Sequence, residues 1–211
     1  MKLKICGMKY NTQEVAALQP DYLGFIFYEK SPRNYELEAI PKVSEKTKKV
    51  GVFVNETIKN IISNIKKYDL DVIQLHGEES PAYCNDLFSG LQDIFNSNKV
   101  ALWKVFSIKD SFDFSVLKPY ETSISAFLFD TKGKEKGGNG YRFDWSILKE
   151  YPSNKPIILS GGIGLEHISE IKKIKTTGLP IKAIDVNSKF EERPGFKKIK
   201  ELTTLQKALQ E

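Results

Sequence analysis

Two residues that directly follow short apolar runs could form an acid–base pair. Cys6 follows Leu3–Ile5, and Asp130 follows the apolar run 126–129. A thiol can act as a base once its pKa is lowered, and a carboxyl can act as a general acid. The competing interpretations are a small buried hydrophobe for Cys6 and a loop-anchoring carboxylate for Asp130. Cys84 lies within a helix-like stretch and is interpreted as core packing.

Three more polar residues follow other apolar runs and could bind a substrate. Arg33 lies in a loop after the second run, where a guanidinium can hold a carboxylate through two hydrogen bonds. His76 and Asp185 close later runs, and each could bind a substrate or only anchor its loop. A surface arginine is the alternative interpretation of Arg33.

Two loops indicate a phosphate site. Gly161 and Gly162 follow one apolar run and lead into a helix-like stretch, while Asn187 and Ser188 follow the next run. Glycines allow the backbone to approach a ligand closely, and helix-start N–H groups attract anions. A tight turn is the alternative for the glycine pair.

The elements that must position these residues are eight apolar, β-rich runs separated by helix-like stretches. Such runs are typical of strands buried in a parallel sheet. They begin at Leu3, Tyr22, Lys49, Val72, Val100, Ala126, Pro156 and Lys182. Helices are predicted over 11–18, 36–46, 56–67, 81–88, 113–117, 144–149, 166–175 and 196–209, with N-caps at Asn55, Ser80 and Asp144.

This alternation predicts an α/β fold, a single (β/α)8 TIM barrel of near-minimal size over residues 1–211. A doubly wound open sheet uses the same alternation, but no dinucleotide fingerprint follows the first run. In a barrel the carboxyl ends of all strands meet at one mouth, where barrel enzymes place their sites. The stretch 132–140, directly after the sixth run, is a candidate lid.

Composition and charge exclude several classes of protein. There are 32 Lys and Arg against 27 Asp and Glu, a net charge of +5 carried by scattered lysines rather than by a nucleic-acid-binding arm. No apolar run is long enough to cross a membrane, and the start of the chain lacks the apolar stretch of a secretion signal. A cytoplasmic location without nucleic-acid or membrane partners is therefore expected.

Taken in order, the motifs resemble those of the phosphoribosylanthranilate isomerase family of tryptophan biosynthesis along nearly the whole chain. They are Lys4–Met8 (KICGM), Gly24–Phe27 (GFIF), Lys30–Arg33 (KSPR), Val50–Asn55 (VGVFVN), Gln74–Glu78 (QLHGE), Phe129–Thr131 (FDT), Gly137–Gly140 (GGNG), Phe143–Trp145 (FDW), Ser160–Gly162 (SGG), Asp185–Ser188 (DVNS) and Pro194–Gly195 (PG).

The resemblance implies an Amadori rearrangement of N-(5-phosphoribosyl)anthranilate, an aminoaldose, to the corresponding aminoketose. It makes Cys6 the base and Asp130 the acid, gives the anthranilate carboxylate to Arg33, and assigns the phosphate to the loops with Gly161, Gly162, Asn187 and Ser188. No metal or organic cofactor is expected, because the iminium formed on ring opening serves as the electron sink. Association with a second copy or with other pathway enzymes is left open.

The chain departs from the family pattern in the last phosphate loop. Lys189 stands where the family usually has glycine, Asn187 replaces a commoner serine, and Lys197-Lys198 stands where Lys-Asp is frequent. We expect these changes to affect the geometry of the phosphate loop and not the identity of the acid and base. Lys189 could add a charge contact to the phosphate.

The alternatives are another phosphosugar barrel enzyme and a non-catalytic phosphate-binding barrel. The related isomerase of histidine biosynthesis uses two aspartates, and indole-glycerol-phosphate synthase uses a lysine acid with a carboxylate partner. Neither pair matches Cys6 with Asp130. A metal-dependent epimerase would need several His and Asp ligands, and the chain has only His76 and His167. A barrel that only binds phosphate needs none of Cys6, Arg33 and Asp130.

Overall fold

The computed structural model describes residues 1–95, 99–131 and 143–210. Its centre is a closed barrel of eight parallel strands that are hydrogen-bonded to one another in chain order. The strands are β1 (Lys2–Ile5), β2 (Tyr22–Phe27), β3 (Lys48–Phe53), β4 (Val72–Leu75), β5 (Ala101–Ile108), β6 (Ala126–Thr131), β7 (Ile157–Leu159) and β8 (Ile181–Val186). Because β8 pairs with β1, the (β/α)8 barrel is confirmed and the open sheet is excluded.

Helices and short 3₁₀ segments connect the strands. The helices are α1 (Thr12–Ala17), α2 (Ile58–Tyr68), α3 (Pro81–Ile94), α4 (Ile168–Lys175) and α5 (Ile199–Gln210). The 3₁₀ segments are Phe114–Tyr120, Trp145–Glu150, Leu165–His167 and Ser188–Phe190. Two short strands, β9 (Glu191–Arg193) and β10 (Phe196–Lys197), form an antiparallel pair after β8.

The strands separate two apolar layers. A small cluster inside the barrel is built around Trp103, Tyr22 and Leu128, and a larger one between the strands and the helices includes Ile5 and Leu205. Because successive side chains of a strand point to opposite faces, the alternation that sends Ile5 outward sends its neighbours Lys4 and Cys6 inward. The barrel interior is therefore apolar in one part and lined with polar groups in another.

Two expectations about helices are wrong. No helix forms over 36–46; Pro41 cannot donate a helical hydrogen bond, and Tyr35 instead packs edge-on against Phe25 and Tyr68. The N-cap of α2 is Thr57, whose side chain accepts from Asn60 N, rather than Asn55.

Other boundaries differ by less. The segments predicted as helices at 113–117 and 144–149 are 3₁₀ turns, the second capped by Asp144 as predicted. Ser80 caps α3 as predicted, but that helix continues to Ile94. The candidate lid at 132–140 and the motif Gly137–Gly140 lie outside the described residues.

Membrane spanning was tested on the described helices. None of those within 1–95, 99–131 and 143–210 combines the length and apolar character that crossing a bilayer requires.

Candidate active site

One cavity collects every residue that the sequence nominates for chemistry or binding. It opens where the carboxyl ends of the barrel strands meet, and Ile26 and Val52 give it apolar wall. The nominated residues that line it are Cys6, Arg33, His76, Asp130, Gly161, Gly162, Asp185, Asn187 and Ser188. These residues come from six different loops or strand ends, so only barrel closure brings them together.

Cys6 is held rigidly at the end of β1. Its backbone N–H donates to Val186 O of β8 at 2.9 Å, and the residue is only 5% exposed. The absence of a side chain at Gly24 on β2 makes room for the thiol, since a Cβ there would lie 2.8 Å from Cys6 Sγ. Gly24 thus sets the position of the sulfur.

The charged groups around Cys6 have opposite effects on the pKa of its thiol. Burial raises the pKa of the Cys6 thiol, the Lys4 and Lys197 ammonium groups lower it, and the Asp185 carboxylate raises it, with a net upward shift. The lowered thiol pKa expected from the sequence is therefore not found in this structure. The site must supply a cation close to the sulfur if a thiolate is to form there.

Lys4 is a buried charge that the sequence analysis did not single out. Its ammonium lies in the barrel interior with no exposed surface and pairs with Asp185 Oδ2 at 2.9 Å. Burial lowers the pKa of Lys4, but the Asp185 and Cys6 charges outweigh it and the net shift is upward. The available signal was spacing, because Lys4 and Cys6 are two residues apart and share one face of β1.

Asp185 uses only one of its two carboxylate oxygens in this pair. Oδ1 is buried and has no hydrogen-bond partner among the described residues, and Asp185 lines the same cavity. Burial raises the pKa of Asp185, and Lys4 lowers it, with a net upward shift. An acceptor is thereby available for a hydroxyl or N–H group of a ligand.

Asp130 lies near the end of β6 and is 7% exposed. Its Oδ1 accepts a hydrogen bond from Thr131 N at 2.9 Å, and its Oδ2 lies 3.5 Å from His76 Nε2. The Nδ1 atom of His76 lies 3.4 Å from the Gln74 amide nitrogen. His76 therefore lies between the Asp130 carboxyl and the Gln74 side chain.

The loop that carries His76 is anchored by a buried ion pair. Lys104 Nζ lies 3.1 Å from Glu79 Oε2, and both side chains are buried. Glu79 also accepts from Gly77 N and Asn55 N at 3.0 and 2.8 Å. This network fixes the rim between β3 and β4 without reaching the thiol.

Arg33 is already paired through one edge of its guanidinium. Its Nε lies 2.9 Å and its Nη2 lies 2.6 Å from Glu191 Oε2. Glu191 also accepts from Lys197 Nζ at 2.7 Å and from Gly195 N at 3.0 Å. Burial raises the pKa of Glu191, but Arg33 and Lys197 outweigh it and the net shift is downward.

Glu191 and Lys197 were missed as site residues. Lys197 Nζ joins the carboxylate of Glu191 to Asn187 Oδ1, at 2.7 Å from each. Burial lowers the pKa of Lys197 to about 8, against an opposing effect of Glu191. No local pattern marks these two residues, because Arg33 and Glu191 are 158 positions apart in the chain.

The two nominated phosphate loops lie side by side. Gly161 has φ +89°, and a Cβ there would lie 2.7 Å from Asp130 Oδ1. This turn therefore requires glycine and lies against Asp130. Ser188 opens the 3₁₀ segment after β8. Lys189 lines the cavity, but its ammonium lies 3.2 Å from Glu166 Oε1, so the loops after β7 and β8 are joined by an ion pair.

Metal ligation was considered for the same residues. Within the part of the chain that the structure describes, no group of three or more His, Cys, Asp or Glu side chains is arranged to hold a metal ion.

Comparison with known proteins identifies the family. A model of the N-(5′-phosphoribosyl)anthranilate (PRA) isomerase family matches residues 3–208. The N-(5′-phosphoribosyl)anthranilate isomerase of Parabacteroides distasonis is 41% identical over 209 residues, covering 96% of this chain and 90% of that protein. That of Campylobacter jejuni subsp. jejuni is 40% identical over 216 residues, covering 99% and 98%.

A solved structure agrees with this fold. The phosphoribosyl anthranilate isomerase of Thermus thermophilus superimposes with a TM-score of 0.80 at 24% identity, covering 100% of this chain and 98% of that one. At that identity the likeness supports the barrel architecture alone.

Proposed function

The chain belongs to the N-(5′-phosphoribosyl)anthranilate isomerase family, and we propose that Cys6 and Asp130 are the base and the acid of its reaction. The enzyme converts N-(5-phosphoribosyl)anthranilate into 1-(2-carboxyphenylamino)-1-deoxyribulose 5-phosphate, an aldose–ketose isomerisation of L-tryptophan biosynthesis. The observation that carries the assignment of roles is that both side chains line one cavity.

The reaction needs two proton transfers on one sugar. Asp130, protonated, donates to the ribose ring oxygen, and the ring opens to a Schiff base. Cys6, as thiolate, then removes the proton from the sugar C2 carbon, and the resulting enolamine tautomerises to the ketone. A positioned side chain accelerates such a transfer by roughly 10²–10⁴-fold. His76 Nε2, 3.5 Å from Asp130 Oδ2, holds that carboxyl in position.

Substrate binding follows from the charges at the rim. Glu191 holds the Nε–Nη2 edge of Arg33, which leaves the Nη1–Nη2 edge for the anthranilate carboxylate. The phosphate fits between the loop with Gly161 and Gly162 and the loop with Asn187 and Ser188. Asp185 Oδ1, buried and without a partner among the described residues, is the acceptor for a sugar hydroxyl.

The alternatives have less support. A barrel that only binds phosphate would not need a buried thiol and a buried carboxyl at the same mouth, where burying each polar group is costly. Another phosphosugar barrel enzyme would need a different acid–base pair in place of Cys6 and Asp130.

Fluorescence of the anthranilate group provides the test. We expect the purified protein to change the fluorescence of N-(5-phosphoribosyl)anthranilate in a concentration-dependent manner. We expect Cys6→Ser to lose nearly all of this turnover, because a serine hydroxyl, unlike a thiol, does not ionise near neutral pH to give the base. Cys84→Ala is the matched control, since Cys84 lies in α3 away from the cavity. Equal rates in wild type and Cys6→Ser, or no turnover in either, would contradict the proposal.

A further inference from the structure

Lys4 has no part in the reaction described above, yet it lies in the barrel interior without solvent contact. A lysine ammonium loses several kcal/mol of hydration in such a place unless charged partners replace the water. Asp185 Oδ2, at 2.9 Å, is one such partner. The other is the candidate base, because Lys4 and Cys6 are neighbours on one face of β1.

The proximity of Lys4 and Cys6 follows from their distances to one point, the Cβ position at Gly24 on the adjacent strand. A Cβ at Gly24 would lie 2.8 Å from Cys6 Sγ and 3.2 Å from Lys4 Nζ. The sulfur and the ammonium therefore flank the same side-chain-free space. The Lys4 ammonium also lowers the pKa of the Cys6 thiol. Since Lys4 has no exposed surface and Cys6 is only 5% exposed, water screens the attraction between them weakly.

We propose that Lys4 is a positioning residue whose ammonium stabilises the Cys6 thiolate, with Asp185 holding that ammonium in place. The inference rests on the base role proposed for Cys6. A thiol enclosed in a barrel does not ionise readily, and a cation in contact with it offsets that cost. Asp185 has a double effect, because it fixes Lys4 but also places a negative charge near the sulfur.

Two further charges act on the sulfur from other elements. Asp185 approaches it from β8 and Lys197 from β10. Lys197 is engaged by Glu191 and Asn187, with contacts of 2.7 Å to each. Lys4 and Asp185 therefore have opposite effects on the sulfur, and removing each in turn gives shifts of opposite sign. If the Lys4–Asp185 ion pair had only a structural role, removing its two members would not shift the ionisation of Cys6 in opposite directions.

The test measures the pH at which Cys6 becomes reactive. In a Cys84→Ala background, Cys6 is the sole thiol of the chain, and iodoacetamide modification can be followed by mass spectrometry from pH 6 to 10. We expect Lys4→Met to move the midpoint of the plot of modification rate against pH upward, and to slow modification roughly tenfold at pH values below that midpoint. We expect Asp185→Asn to move the midpoint downward.

Lys104→Met is the matched control. Lys104 is also a buried lysine in a buried ion pair, with Glu79 at 3.1 Å, but it does not contact Cys6. We expect its modification profile to equal that of the background. A Lys4→Met midpoint equal to that of Lys104→Met would overturn the proposal, because the loss of any buried ion pair would then have the same effect on Cys6.

If Lys4→Met does not fold, a double variant still tests the proposal. The double variant Lys4→Met/Asp185→Asn removes both charges, and it differs from Asp185→Asn only at Lys4. We expect its midpoint to lie above that of Asp185→Asn, and identical midpoints would refute the role of Lys4.

Turnover separates this inference from the function itself. We expect Lys4→Met to lower kcat roughly tenfold at neutral pH with KM little changed, and to recover as pH rises. A kcat deficit that stays constant with pH counts against Lys4. Absence of turnover in the unmodified protein would instead overturn the proposed function, while the modification profiles would still decide the role of Lys4.

Discussion

Asp130 shows how the immediate neighbours of one carboxyl fix its position in the cavity. Its Oδ1 is held by Thr131 N, its Oδ2 faces His76, and Gly161 closes over it without a side chain. These contacts fix the orientation of the Asp130 carboxyl, as the acid role proposed for it requires. Preorganisation of this kind is a main source of enzymatic rate enhancement.

Asp130→Asn is expected to reduce kcat by at least roughly a hundredfold, because an amide keeps the shape of the side chain but cannot donate a proton as an acid does. Steady-state kinetics with the fluorescent substrate, together with circular dichroism to verify folding, measure this effect. A folded variant with ordinary kcat would remove Asp130 from the acid role.

The sequence predicted the residues that touch the cavity but not the residues that hold them. Cys6 and Asp130 are recognisable because each directly follows an apolar run, and Arg33 because it lies in the loop after one. Glu191 is not, because its partner Arg33 is 158 positions away, and the Lys4–Asp185 ion pair spans 181 positions, so only the closed barrel brings these partners together. Burial likewise reversed the expected direction of the Cys6 pKa shift.

Among the contacts between elements, the one between β1 and β2 determines the space available to Cys6, the proposed base. Parallel pairing places Ile5 opposite Leu23, and Gly24 follows on β2 where the thiol needs space. A side chain at this position would push against sulfur and ammonium together.

Gly24→Ala is expected to lower kcat by roughly tenfold to hundredfold, because a displacement of about 1 Å is enough to misplace a base. Overpacking should also cost about 1–3 kcal/mol of folding stability. Gly90→Ala in α3 is the control, since a Cβ there meets nothing within 4 Å. It should leave kcat unchanged and add about 0.5–1 kcal/mol of stability. Equal kinetics for the two variants would show that Gly24 does not set the sulfur position.

Strands were easier to predict than helices. Most strands contain a short apolar run, as in Phe127–Phe129 of β6, and such a run predicts a strand that is buried on both faces. The connection 36–46 contains enough helix-forming residues to suggest a helix, but the packing of Tyr35 on Phe25 and the Tyr68 hydroxyl bond to Leu37 O favour an irregular path. Tertiary contacts override local propensity there.

At the scale of the whole molecule, closure of the barrel brings residues from distant parts of the chain into one site. Cys6 and Asp130, the proposed base and acid, are separated by more than a hundred residues of sequence and line one cavity because β8 pairs with β1. A single domain over 1–211 and association with a second copy remain predictions.

The stability of the whole molecule should depend on Cys84 at alkaline pH. Burial raises the pKa of the Cys84 thiol from 9.0 to about 11, with Lys104 lowering it and Glu79 raising it. The folded state therefore retains a proton that the unfolded state releases, and stability present below pH 9 is lost as pH rises towards 11. In Cys84→Ala this loss should be smaller by on the order of 1–2 kcal/mol. Urea unfolding at pH 8 and pH 11 measures the difference, and parallel losses in both proteins would contradict the expectation.

The central claim is that one thiol and one carboxyl act on the same sugar from two sides, and a crystal structure with a bound, non-reacting product analogue tests it most directly. We predict Cys6 Sγ within about 3.5 Å of the analogue's C2 position and the Asp130 carboxyl equally close to the oxygen derived from the ring. An analogue bound in the cavity with either group out of reach of its sugar atom would contradict the account.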